Sequence, residues 1–198
     1  MKKADNMKQL RKAMKKAQDS KRYEHTLGVA YTAAALAMRY NVSIKDAQTA
    51  GMLHDCAKCL SDEKRLSVCE KQHIPVTEVE RRNPFLLHAK VGAYLAEKKY
   101  GVRDSDILNA IQYHTTGRKN MSLLEKIVFI SDYIEPGRKQ APNLQEIRQL
   151  AFIDIDKAMI RILEDTVAYL KEGNREVDPA TEDTLNYYKT TTVSGENS

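Results

Sequence analysis

The stretch Leu53-His54-Asp55-Cys56-Ala57-Lys58 brings an imidazole, a carboxylate and an ammonium close together in the chain. On a helix of ~3.6 residues per turn they fall within about a turn and a half. His54 and Lys58 are four apart and share a face. His54 and Asp55 are adjacent and point different ways around the axis. They can grip one ion only if it sits beside the helix edge, most easily where the last turn loosens. Mixed nitrogen and oxygen donors of this kind suit a divalent metal. A His-Asp pair alone also occurs as a polar helix end facing water, so the weight falls on what else the chain supplies.

Other polar residues stand on otherwise apolar segments: His25, His88, His114 and Asp132. Each lies near a helix end beside an apolar run. Only His73, in Glu70-Lys71-Gln72-His73, sits on a plainly polar stretch and reads as surface. Asp132 is flanked by Ile130, Ser131, Tyr133 and Ile134, and a carboxylate on a mostly buried helix must be paired or bound to a metal. Cys56-Ala57-Lys58-Cys59 has the spacing of a redox or zinc half-site. Cys69 is the one further sulfur, so ordinary cysteines near a helix end are the simpler reading.

The elements that must position these residues all read as helices. A basic helix is expected from Asn6 to Gln18. Ser20 is expected to cap a second, to about Tyr40, with Leu27, Ala30, Tyr31, Ala34 and Met38 at helical spacing. Arg22 and His25 lie one turn apart near its start. Ser43 opens a third helix carrying Leu53, His54 and Asp55 at its far end. Ser61-Asp62-Glu63 opens a fourth, with acids where the helix dipole favours them. Phe85 to Tyr100 reads as one helix stopped by Gly101, with His88 at its beginning. Ser105 to His114 is another, followed by the polar loop Thr115-Thr116-Gly117-Arg118. Ser122-Leu123-Leu124-Glu125 is a capping box launching a helix to Glu135, with Asp132 near its end. Helices are expected over Asn143–Phe152 and Asp154–Glu172, a short one from Pro179, and a disordered tail over 190–198. The fold class is all-α, a single compact helical domain over 20–189 preceded by the basic helix of 1–19.

The 198 residues can bury a real core, and 42% hydrophobic with 30% charged residues fits a globular protein. Apolar runs are too short to span a bilayer and no signal peptide is evident, so a cytoplasmic, non-membrane protein with reduced cysteines is expected. Residues 1–22 hold nine Lys or Arg against Asp5 and Asp19, a local charge of +7 within a total of +5. The rest of the chain is slightly acidic, which argues against nucleic acid as partner of the domain. The basic run can meet a polyanion or a neighbouring subunit, as in a homodimer, or simply face solvent.

The order His, His-Asp, Asp resembles the HD-domain metal-dependent phosphohydrolase superfamily, and more closely the YqeK family of bacterial HD proteins. The matching stretches are Arg22-Tyr23-Glu24-His25-Thr26-Leu27-Gly28-Val29, Gly51-Met52-Leu53-His54-Asp55-Cys56-Ala57-Lys58, Leu87-His88-Ala89-Lys90-Val91-Gly92-Ala93, Ala110-Ile111-Gln112-Tyr113-His114-Thr115-Thr116-Gly117 and Ser131-Asp132-Tyr133-Ile134-Glu135-Pro136-Gly137-Arg138. Cys56 stands where the family often has an aromatic residue, and Val177-Asp178-Pro179 where it usually has an Ile-His-Pro-like segment. The resemblance implies an all-α HD domain that cuts diadenosine tetraphosphate in the middle to two ADP, with iron as its metal. His25, His54, Asp55 and Asp132 would be the ligands. This donor set, free of thiolate, also suits manganese, cobalt or zinc. Asp55 and Lys58 would be catalytic. His25, His88, His114, Thr115, Asp132, Arg138, Arg175 and Pro179 would join Asp55 and Lys58 in holding substrate, with Arg118 a further candidate for phosphate. His88 and His114 admit two readings, phosphate contacts or a second metal bridged by Asp55, and phosphate contact is the one expected. The alternatives are another HD nucleotide phosphohydrolase, or a nucleotide-binding or RNA-associated protein whose site only senses a ligand.

Overall fold

The computed structural model describes residues 5–195, and every regular element among them is helical. Helix α1 (Asp5–Ala17) buries Leu10 and Met14, four apart, against α2 (Ser20–Arg39) and α3 (Ile44–Leu53). Its described lysines, Lys8, Lys12, Lys15 and Lys16, stay in solvent. The cap of α2 is Asp19, not Ser20: its carboxylate accepts from the Arg22 N–H at 2.8 Å. A carboxylate there meets the free N–H groups and the positive helix end together. The apolar stripe of α2 is also rotated from the expected one. Val29, Ala30, Ala33, Leu36 and Ala37 face inward, while Tyr31 and Met38 are exposed. Small side chains let the backbones approach: a Cβ on Gly51 would lie 2.9 Å from Ala30 Cα. That close crossing of α2 and α3 sets His25 against His54.

Helix α3 ends at Leu53, with His54 as its C-cap. The chain then tightens into successive turns, Cys56 N–H to Leu53 O and Lys58 N–H to Asp55 O, both 3.0 Å. This loosening of the α-helix lets the adjacent His54 and Asp55 serve one centre. Helix α4 (Asp62–Lys71) is capped by Ser61 as expected. The short α5 (Glu78–Arg82) was not expected from the sequence; Thr77 and Glu80 form its capping box. The single helix expected over Phe85–Tyr100 is two pieces: a 3-10 turn (Pro84–Leu87) and α6 (His88–Lys98). Pro84 opens the 3-10 turn, and the break makes His88 the first residue of α6.

Buried Arg65 fastens this region. Its guanidinium donates to the carbonyls of Ala57, Lys58 and Leu60 and, at 3.1 Å, to that of Pro84. One side chain thus ties the turn bearing Lys58 to the turn preceding His88. Beneath it Ala57, Cys69, Leu87 and Val91 form a small apolar cluster.

The main core is organised on α8 (Leu123–Ile134), launched by the expected Ser122/Glu125 capping box. It packs against α2, α3, α7 (Ser105–Gln112), α9 (Leu144–Leu150) and α10 (Ile155–Glu172). Ile127, Val128 and Ile130 are fully buried, each contributing about 1.5–3 kcal/mol. Helix α11 (Pro179–Gly195) lies on α10 and is longer than expected. It takes in residues 190–195 of the stretch expected to be disordered. Leu185 and Tyr188 are buried, and the Tyr188 hydroxyl accepts from the Met121 N–H at 2.7 Å. The rest of that tail, 196–198, lies outside the described residues, as do 1–4 of the basic segment.

Candidate metal centre

The six residues singled out on apolar segments come from five parts of the chain and meet at one point. His25 comes from α2, His54 and Asp55 from the end of α3, His88 from the start of α6, His114 from just beyond α7, and Asp132 from α8. His25 Nε2 lies 3.0 Å from Asp132 Oδ1 and 3.3 Å from His54 Nε2. His54 Nε2 lies 3.4 Å from Asp55 Oδ2. On the other side of the same carboxylate, Asp55 Oδ1 is 3.3 Å from His88 Nε2 and 3.7 Å from His114 Nε2, and these two nitrogens are 3.2 Å apart.

The outer nitrogen of each ring fixes its tautomer. His54 Nδ1 donates to Gly51 O at 2.7 Å, His88 Nδ1 to Phe85 O at 2.6 Å and His114 Nδ1 to Ile111 O at 2.7 Å. His25 Nδ1 donates to Glu135 Oε1 at 3.2 Å. Each donates outward, and in the tautomer this selects the Nε2 is a lone pair aimed inward. Pairs of such nitrogens about 3.3 Å apart repel unless a cation lies between them. Asp55 Oδ1 is buried without a hydrogen-bond partner, a cost that a cation removes. Three triads have donor atoms all within 4.8 Å of one another: His25, His54 and Asp55; His54, His114 and Asp132; Asp55, His88 and His114. The residues present fit a divalent metal.

The carboxylates and His88 agree, whereas at His54 burial is outweighed by Asp55, which raises that imidazole in the metal-free fold. Burial opposes charge on Asp55, but His54, His114 and His88 outweigh it and hold the carboxyl well below its usual range. At Asp132 burial likewise opposes charge, and the neighbouring His25, His54 and His114 hold the carboxyl below its usual range. Burial, with His114 and Lys58 beside it, pushes His88 down to about 3. Burial also lowers Lys58. Two anionic carboxylates and a neutral His88 are the protonation states a metal requires.

Cations ring the centre. Lys58 Nζ is 3.2 Å from His88 Nε2. The Arg138 guanidinium donates to Asp132 O at 2.8 and 3.0 Å and to Asp132 Oδ1 at 3.1 Å. Arg22, not among the site residues read from the sequence, is 2.7 Å from Asp55 Oδ2. Its spacing from His25, one turn on the same face, was the available signal. Glu135 was also missed. Its carboxylate lies in a notch between two glycines: a Cβ would come within 2.5 Å of Glu135 Oε2 at Gly28 and within 2.9 Å at Gly137.

Thr115 is half-buried beside His114. Arg118 is not free for phosphate, because it is paired at 2.7 and 3.0 Å with the fully buried Glu125. Arg175 is exposed, its guanidinium 4.1 Å above the Tyr169 ring. Pro179 opens α11 at the surface. Its neighbours Asp178 and Ala180 line a separate cavity of about 640 Å³ with Thr115 and Gly117. Cys56, Cys59 and Cys69 do not gather: buried Cys56 donates to Gly92 O, its thiol pushed up to about 12 by burial, and Cys59 is exposed.

Two larger cavities reach the cluster through different members of it. One, about 730 Å³, includes His114, Asp132, Phe129, Tyr133 and Tyr169. The other, about 850 Å³, includes Arg22, His25, Leu27 and Tyr31. Arg138 lines both.

Comparison with known proteins agrees with this geometry. The HD-domain family model matches residues 22–137. A Bacillus subtilis protein named symmetrical bis(5′-nucleosyl)-tetraphosphatase is 42% identical over 84% of this chain and 88% of its own. A Staphylococcus aureus protein of the same name is 37% identical over 92% and 94%. A crystal structure from Clostridium acetobutylicum, described as a predicted HD superfamily hydrolase involved in NAD metabolism, superposes with a TM-score of 0.91 at 39% identity, over 96% of this chain and 99% of that one. With the motifs gathered on one centre and likeness running through most of both chains, this protein belongs to the HD-domain family and, within it, to the YqeK proteins.

Proposed function

We propose that the protein hydrolyses diadenosine tetraphosphate and related dinucleoside polyphosphates at the central anhydride, releasing two ADP. The substrate reading rests on the Bacillus and Staphylococcus relatives, similar over most of both chains. The chemistry rests on one observation: inward-facing imidazoles and two carboxylates converge between two cavities with Arg22, Lys58 and Arg138 around them. His25, His54, Asp55 and Asp132 would hold the metal, proposed to be iron; manganese, cobalt or zinc suit the same donors. The ion, when bound, acidifies water and offsets charge on the phosphoryl group.

The chain's own groups orient the substrate and neutralise it. Arg138 offers a planar fork to a phosphate, anchored by the Asp132 carbonyl. Arg22 and Lys58 flank Asp55 from two sides and meet charge on either side of the cut. Lys58, lowered by burial, can also donate a proton towards the leaving ADP. Thr115 supplies a neutral hydroxyl. One water is consumed: its oxygen joins one central phosphorus, the bond from that phosphorus to the central bridging oxygen breaks, and one ADP leaves.

His88 and His114 favour the second of their two readings. In the tautomer set by these contacts each ring gives its N–H to a backbone carbonyl, which leaves none for a phosphate oxygen. They offer lone pairs instead, and with Asp55 Oδ1 they suit a second ion. Elemental analysis tests this: two metals per chain in the wild type and one in His88→Ala support it, whereas one in both leaves Lys58 as the cation for His88. A substrate panel tests the function. Turnover confined to nucleoside monophosphates or cyclic dinucleotides would replace the proposal with another HD phosphohydrolase, and binding without turnover would favour a sensor.

A further inference from the structure

We infer that the cavity on the His25 side of the cluster is a second nucleotide subsite, which receives the other nucleoside arm of a dinucleoside polyphosphate with Tyr31 as its base platform. This rests on the tetraphosphatase reading. A cut in the middle of a symmetrical substrate leaves two equivalent arms, and each needs its own space beside the cluster. Two cavities offer it, one touching the cluster at His114 and Asp132 and the other at His25, and Arg138 lines both.

The cavity holding Tyr133 and Tyr169 is the more aromatic and takes the first arm. The other, about 850 Å³, is within the range of small-molecule sites. At its inner end lie His25 and Arg22, and Lys21 adds a third cation for phosphate beside Arg22 and Arg138. Of its acids, Asp19 is engaged in capping α2 and Glu135 by His25 and the Gly137 N–H, which leaves Glu24 as the remaining one. Gly28 keeps the floor open, because a Cβ there would meet Glu135.

Tyr31 stands six residues beyond His25 on α2, about 9 Å along the axis. That is the reach of two phosphates and a ribose. The residue is 52% exposed, large for an aromatic on a helix whose inner face is buried. Arg11 of α1 sits 5.3 Å above the ring, fixing it from one side. A purine stacking on such a ring gains affinity without requiring a particular base. The basic first helix thereby has a role in the site: it braces the platform.

The test compares two substrates on the metal-loaded enzyme. Diadenosine tetraphosphate needs both subsites. Adenosine 5′-tetraphosphate has one nucleoside, which takes the Tyr133/Tyr169 cavity. Tyr31→Ala is expected to lower kcat/KM for the dinucleotide at least about fivefold, as loss of one stacking contact would. The adenosine tetraphosphate value stays within about twofold, and Tyr31→Phe keeps both. Lys21→Ala gives the same selective loss without touching the ring. Equal losses on both substrates, or no loss on the dinucleotide, would overturn the second subsite while the wild-type activity stands. A wild type that releases no ADP from diadenosine tetraphosphate would instead overturn the parent reading, and the subsite with it.

Discussion

At the scale of single residues, the site is a problem of aiming lone pairs. Three histidines reach back three residues to a backbone carbonyl and so present Nε2. His25 has a carboxylate in that place, from Glu135. A buried carboxylate behind a ligand makes the imidazole a better donor. Glu135→Gln is therefore expected to weaken metal affinity about 10- to 100-fold while the helical circular dichroism stays unchanged. Competition with a chelator measures this, and unchanged affinity would remove Glu135 from the metal's support. His88 gives a pH prediction for metal-free protein. Its folded pKa is about 3 and its unfolded value about 6.5. The unfolded chain binds the extra proton first as pH falls, so stability is lost from about pH 6.5 downward. Asp55 and Asp132 add to the loss below about pH 4, where the unfolded carboxylates protonate before the folded ones. His54, raised in the fold, works the other way and stabilises towards acid. Thermal melts of His88→Gln should therefore show a shallower fall between about pH 6 and pH 4 than those of the wild type. Parallel curves would contradict the assignment.

At the scale of elements, the crossing of α2 and α3 decides whether the ligands meet. Gly51→Ala places a methyl 2.9 Å from Ala30 Cα. Such overpacking costs about 1–3 kcal/mol, or a fall in Tm of about 2–12 °C for a chain of this length. Because His25 and His54 are carried by these two helices, metal affinity should fall with it. A full-affinity Gly51→Ala protein would show that the crossing can relax without moving the ligands. This scale also marks how far the sequence could be read. Helix existence was legible from periodicity and caps: Ser43, Ser61 and the Ser122/Glu125 box stand where expected. The turn of α2 was not, because Leu27, Tyr31 and Met38 satisfy a helical stripe as well as Val29, Ala33 and Leu36 do. Only the packed neighbour chooses between them. The break at His88 was hidden because Phe85-Leu86-Leu87 continues an apolar pattern through a 3-10 turn. The α11 extension was hidden because its polar residues resemble a tail, and burial of Leu185 and Tyr188 holds it.

At the scale of the molecule, the proposed ligands come from distant parts of the chain, so a bound metal should lock the fold together. An ion that binds only the folded state adds about 2.7 kcal/mol when present at a hundredfold over its Kd. Removing it with a chelator should lower Tm by about 5–10 °C, and adding back a divalent metal should restore it. A Tm indifferent to metal would contradict a centre built across five segments. The residues that cluster were legible as types and order, since each polar group sits on an apolar segment. Their partners were not: Arg22 and Glu135 are ordinary helix-surface residues in sequence, and Arg118 looks free until Glu125 is found buried beneath it. The central claim is a cut in the middle of a four-phosphate chain. Chromatography of products formed from diadenosine tetraphosphate by metal-loaded enzyme in oxygen-18 water tests it most directly. The account predicts ADP alone, with the heavy oxygen on the terminal phosphate of one product molecule per turnover. AMP together with ATP would contradict it.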